Sequence, residues 1–102
     1  MDDLNFRKWL QNKGITTRPI SDALSRCKRV ESCLKLNLDN EYRKDKGKSL
    51  IEFLTYSLED QRNDVPAPEE LNFEQGANIK NGMASLKNAV KRYLEFCEEQ
   101  SQ

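Results

Sequence analysis

Residues 79–97 read IKNGMASLKNAVKRYLEFC, and this stretch decides the fold class. Ile79, Met83, Leu86, Val90, Tyr93 and Cys97 recur at alternating steps of four and three. On an α-helix that spacing aligns all six along one stripe, the seam that a helix lays against a core. Asn78 or Asn81 is placed to cap its start. Glu95, Glu98 and Glu99 crowd its end, where negative charge opposes the helix dipole, so fraying is expected beyond Phe96. The outer face carries Lys80, Lys87, Lys91 and Arg92, with no acidic residue between Lys80 and Leu94. A helix apolar on one side and basic on the other raises the question of an anionic partner.

Upstream, the same reasoning yields four more helices. The first spans 4–13, with Leu4 or Phe6 inward beside Trp9 and Leu10, Trp9 as a core anchor, and Gly14 at the left-handed stop position. The second spans 19–34. Thr17 caps it, Pro19 sits in its first turn, and Ile20, Ala23, Leu24, Cys27, Val30 and Leu34 line its inner face. A short third helix, 40–45, follows Asp39 as its cap and turns Tyr42 inward. Ser49-Leu50-Ile51-Glu52 matches a capping box and opens a fourth helix over 50–62, burying Leu50, Phe53, Leu54, Ser57 and Leu58. The connector 63–77 contains two prolines that discourage helix, with Leu71 and Phe73 pinning it to the core around one possible turn. No strand signal and no internal repeat is present. The expectation is an all-α, single compact bundle of four to five helices, with the fifth at 79–97.

Bulk properties bound the function. A chain of 102 residues is the size of one domain, and 36% apolar against 33% charged residues means a lean core under a heavily charged surface. Mean hydropathy is −0.88, and no apolar run approaches the ~20 residues of a membrane span. Met1-Asp2-Asp3 does not open a signal peptide, so a cytoplasmic protein without a membrane partner is expected. Three cysteines without a C-x-x-C pair, and no histidine, argue against a metal site and fit thiols used as small apolar fillers. Catalysis is not expected either. The commonest general base is missing, Gly14, Gly47, Gly76 and Gly82 are isolated rather than forming a phosphate loop, and Tyr93 sits on the core stripe. Neither a cofactor nor a small-molecule substrate is implied.

Net charge is zero, but its distribution is blocky. Residues 7–48 hold twelve basic against five acidic side chains, 49–79 hold one against seven, and 80–94 hold four against none. Blocks of one sign can form a patch on a neutral protein. If the second and last helices lie side by side, Arg18, Arg26, Lys28 and Arg29 share a surface with Lys80, Lys87 and Lys91, joined by Lys44, Lys46 and Lys48. Such a face suits a phosphate backbone, and Asn81, Ser85 and Asn88 between the lysines suit base edges or phosphates. Double-stranded DNA is therefore the leading partner. The alternative is a protein-interaction module, an adaptor or inhibitor docking on a larger enzyme, or a homodimer burying Lys87 and Lys91. Its motive is the acidic connector beside a basic face.

Phe6-x-x-Trp9-Leu10-x-x-Lys13-Gly14-Ile15, followed by Ile20-x-x-x-Leu24 and Lys28-Arg29-Val30-Glu31, resembles the first half of the core-binding domain of tyrosine recombinases, the phage integrase family. Ser85-Leu86-Lys87-Asn88-Ala89-Val90-x-x-Tyr93-Leu94-Glu95-Phe96 is similar to that domain's final helix. The resemblance covers about half of the chain. It implies a SAM-like bundle that grips one side of a duplex, with contacts at Arg18, Lys28 and Arg29 and along Lys87 and Lys91. The catalytic domain that normally follows is not in these residues, and the segment 60–74 is longer and more acidic than the family pattern. An accessory or regulatory role is the corresponding expectation.

Overall fold

The computed structural model describes residues 1–74 and 78–100. Among them are six α-helices and one 3₁₀ turn, and no strand: α1 Asp3–Asn12, α2 Thr17–Leu34, α3 Leu38–Asp45, α4 Lys48–Phe53, α5 Leu58–Arg62, the 3₁₀ turn Glu69–Leu71, and α6 Ile79–Gln100. The all-α bundle is built around one pair, α2 against α6. Helices α1 and α3 pack on that pair, α4 and α5 brace α6, and the 3₁₀ turn rests on α2. Five of the six residues on the sequence stripe of α6 are buried, with Ile79 half-buried at its open end. An aromatic knot closes one end, where Phe6 meets Tyr93 edge-on at 5.0 Å and Phe96 at 5.6 Å, and Trp9 lies 5.9 Å from Phe96.

The helix ends show how local chemistry sets the boundaries. Asp2 caps α1 by accepting from the Asn5 backbone, and Gly14 takes φ +82° after it, the left-handed stop its position implied. Thr16, not Thr17, occupies the N-cap of α2, without a side-chain bond, and Pro19 still falls in the first turn. Asn37 caps α3, accepting from the backbones of Asp39 and Asn40, so this helix begins earlier than 40 and Asp39 lies inside it. That releases the Asp39 carboxylate for the core edge, where it accepts from the Tyr93 hydroxyl at 2.6 Å and lies 3.4 Å from the α-amino group of Met1. Asn78 caps α6 through the Asn81 backbone N–H.

Two further expectations are overturned. The helix foreseen over 50–62 is two short helices. Ser49 does not cap; Gly47 at φ +78° precedes α4, and the backbone and hydroxyl of Ser49 both donate to Asp45. The helix then stops at Leu54, Thr55 donates its hydroxyl back to the Ile51 carbonyl, and the capping box forms at Ser57 with Asp60. Breaking the helix there changes the phase of everything after it. Leu54 is fully buried as expected, and beyond the break Leu58 is 51% exposed and Ser57 faces solvent as the cap of α5; Phe53, inside α4 before the break, is 43% exposed against expectation.

The second correction concerns the end of α6, which continues to Gln100 rather than fraying after Phe96. Its glutamates are anchored sideways: Glu98 accepts from the Tyr42 hydroxyl, and Glu99 accepts from the Trp9 indole at 2.9 Å and pairs with Lys13 at 3.6 Å. These contacts offset the unfavourable dipole term, which is only a fraction of a kcal/mol up to about 1 at an exposed end. The connector is pinned as its sequence suggested, with Leu71 fully buried and Phe73 packed against the core. Phe73 fills the space above Gly82, where a Cβ would collide with its ring. The last residues of that connector, 75–77, lie outside the described residues.

Candidate nucleic-acid interface

Helices α2 and α6 approach closely because Ala23 and Ala89 sit in their contact line, both buried. Small residues there leave a groove whose walls are the longer side chains one step outward. Pro19, Asp22 and Arg26 of α2 face Ser85, Asn88 and Arg92 of α6 across a cavity of about 280 Å³. Ser85, Asn88 and Arg92 follow one another at three and four residues, so they form one edge of α6. Arg26 and Arg92 enter this groove from opposite helices, and among the described residues neither guanidinium has a hydrogen bond or ion pair. Asp22 is the one carboxylate lining it.

The other cations expected on this face are distributed more widely. Positions two apart on a helix diverge by about 200°, so Arg26 and Lys28 leave α2 on opposite flanks. Lys28 pairs with Asp3 of α1 at 2.6 Å, both half-exposed. Arg29 turns to the connector, donating to the Leu71 carbonyl at 2.7 Å and lying 5.1 Å from the centre of the Phe73 ring. It serves there as a strap holding the 3₁₀ turn to α2. Lys80 is half-buried and lines a separate small cavity with Tyr56, Asp64 and Val65, beside the acidic connector.

Arg18 and Lys91 are exposed, and Lys87 is half-buried, with no hydrogen bond or ion pair among the described residues. Lys80, Lys87 and Lys91 follow at seven and four, forming a second edge of α6 about a third of a turn from Ser85–Asn88–Arg92. Lys44, Lys46 and Lys48 cluster at the α3–α4 turn, exposed. Asn81 is exposed in the first turn of α6, its N–H taken by Asn78. The folding pattern thus joins Arg26 with Ser85 and Asn88, keeps Arg18, Lys87 and Lys91 available on the same two helices, and diverts Lys28, Arg29 and Lys80. Arg92 is the addition: the charge pattern included it on the outer face, and its step of four from Asn88 is the signal for its place in the groove.

Among the described residues no group of His, Cys, Asp or Glu is placed to hold a metal ion. The thiols are separate: Cys27 is buried and donates to the Ala89 carbonyl at 3.3 Å, and burial, with the carboxylates of Glu31 and Asp3, pushes it up to about 12. Cys97 is pushed up to about 11 by burial and by Asp39. The Tyr93 hydroxyl is raised by burial and by its bond to Asp39, and it accepts from the Asp2 backbone at 2.7 Å. Tyr93 and Cys97 tie the start of α1 and Asp39 of α3 to α6, and Cys27 ties α2 to α6. No described helix is long and apolar enough to cross a membrane.

No family model matches the chain, and neither the curated proteins nor the solved structures compared with it give a match.

Proposed function

We propose that this domain binds duplex DNA, without catalysing a reaction, as an accessory or regulatory factor. The observation that carries the reading is the pair Arg26 and Arg92, without partners among the described residues, on either side of an α2–α6 groove that Asp22, Ser85 and Asn88 also line. Guanidinium groups suit phosphate because their planar donors engage two oxygens at once. The hydroxyl and the amide are the side-chain types that add phosphate or base-edge contacts. Arg18, Lys87 and Lys91 extend the positive surface along the same helices. Lys28, Arg29 and Lys80 stand outside this footprint because their heads are engaged or face the connector. The resemblance to a recombinase core-binding domain points to the same ligand class.

Fluorescence anisotropy of a labelled duplex tests the reading. Binding at ~50 mM salt that weakens steeply by ~200 mM is the expected outcome. A flat titration at the lower salt overturns it.

A further inference from the structure

A second cavity, larger than the basic groove, lies on another side, where the end of α2 meets α3, α4 and the 3₁₀ turn, and measures about 490 Å³. Leu34, Leu36 and Leu50 form its apolar floor, and Phe53 stands at its mouth with 43% of its surface exposed. Phe53 is the last residue of α4, and its ring stands partly uncovered over the hollow. A cavity of this size and lining is typical of sites that accept a bulky apolar group. The polar residues around it are Ser49, Lys35, Glu41 and Glu70. Among the described residues neither glutamate has an ion pair. Glu70 is the connector's one acidic residue that lines the hollow, and with Glu41 it outnumbers Lys35, the one cation there.

The geometry points to this hollow as the docking site for a short basic, amphipathic segment of a partner protein, which inserts a leucine- or phenylalanine-sized anchor between Leu34, Leu50 and Phe53 and sets flanking Lys or Arg against Glu41 and Glu70. The apolar floor supplies the affinity, and the carboxylates select the sign of the partner. The surface is separate from the α2–α6 groove, so this function stands or falls independently of DNA binding. A chain that can hold a duplex on one side and a basic helix on another is an adaptor.

Cys33 makes the site directly measurable. It lines the hollow and is half-exposed, whereas Cys27 and Cys97 are buried. The probes are three labelled helical peptides of about 14 residues: one with leucines at i and i+4 flanked by lysines, one with the leucines replaced by alanine, and one with the lysines replaced by glutamate. The Leu/Lys peptide is expected to bind the full chain and to slow alkylation of Cys33, the other two peptides binding at least about tenfold more weakly. Phe53→Ser and the double variant Glu41→Lys/Glu70→Lys, each confirmed folded by its circular dichroism melt, are expected to lose about tenfold for the first peptide. Equal binding of the leucine and alanine peptides overturns the proposal, as does equal binding of the lysine and glutamate peptides. Protection of Cys33 that rises with protein concentration in the absence of peptide overturns it in favour of a second copy of this chain.

Discussion

Replacing Arg26 and Arg92 together by glutamine removes the two guanidiniums of the α2–α6 groove while leaving Arg18, Lys87 and Lys91 in place. Each phosphate neutralised on B-DNA contributes about −0.9 to the slope of log affinity against log salt. With five cations engaged, the slope is about −4.5, and a fourfold rise in salt lowers affinity about 500-fold. With three left it is about −2.7, and the same rise lowers affinity about 40-fold. The assay is anisotropy on one duplex across a salt series, each variant first checked for an unchanged thermal midpoint. Lys28→Gln serves as the internal control. Its partner Asp3 is on α1, both side chains are half-exposed, and such pairs contribute ~0–1 kcal/mol to stability. It is expected to leave the slope unchanged. A double variant that keeps the full slope, or a Lys28→Gln protein that loses as much, refutes the footprint.

Three further outcomes follow from the core. Tyr93→Phe removes the hydroxyl that accepts from the Asp2 N–H and donates to Asp39, so about 1–3 kcal/mol of stability should be lost in urea unfolding; a loss within error refutes that account. Gly47→Ala places a Cβ 2.6 Å from the tip of Leu94 at φ +78°; the leucine tip can move, so the left-handed backbone dominates, at about 1–2 kcal/mol in the same assay. Native protein at pH 8 should alkylate at Cys33 first, with Cys27 and Cys97 reacting only on unfolding, as read by mass spectrometry. The pH dependence has a definite sign. The Cys27 thiol ionises near 9.0 when unfolded but only at about 12 when folded, so its contribution is intact below 9 and falls as pH rises from there towards 12. The Met1 ammonium acts in the same direction: burial opposes its charge, but Glu31 and Asp39 outweigh that and raise it, so its contribution also fades with rising pH. Urea midpoints at pH 7 and 10 should therefore drop, and drop less in Cys27→Ala.

Periodicity made the long elements legible. The seam of α6 and the inner face of α2 could be read because each runs for five or more turns, long enough for a 3.6-residue repeat to stand out. Short elements gave no such average. In 48–62 the capping-box pattern at Ser49 is legible, but the cap forms at Ser57, because Asp45 engages Ser49 and Asp60 engages Ser57. At α3 the sequence points to Asp39 as the cap, while Asn37 takes that place and Asp39 lies inside the helix. The far end of α6 escapes a sequence reading because the helix dipole is local, while the partners of its glutamates, Trp9, Lys13 and Tyr42, lie more than fifty residues away in the chain. The site was half-legible for a related reason. Charge blocks are visible in one dimension, but the 200° between Arg26 and Lys28, and the capture of Arg29 by a carbonyl of the connector, are facts of packing.

The contacts between α1 and the far half of α6 carry a consequence for biosynthesis. Asp2 finds Tyr93 only after 91 further positions, and Trp9 finds Glu99 after 90. At translation rates of ~5–20 residues per second, the amino-terminal helix waits about 5–20 s for its docking surface to be made. During that interval Phe6 and Leu10 have no α6 to cover them, and α2 lacks the other half of its pair. Assembly of this bundle is a closing event triggered by its final helix, and the nascent chain offers its sticky amino-terminal surface to chaperones until then.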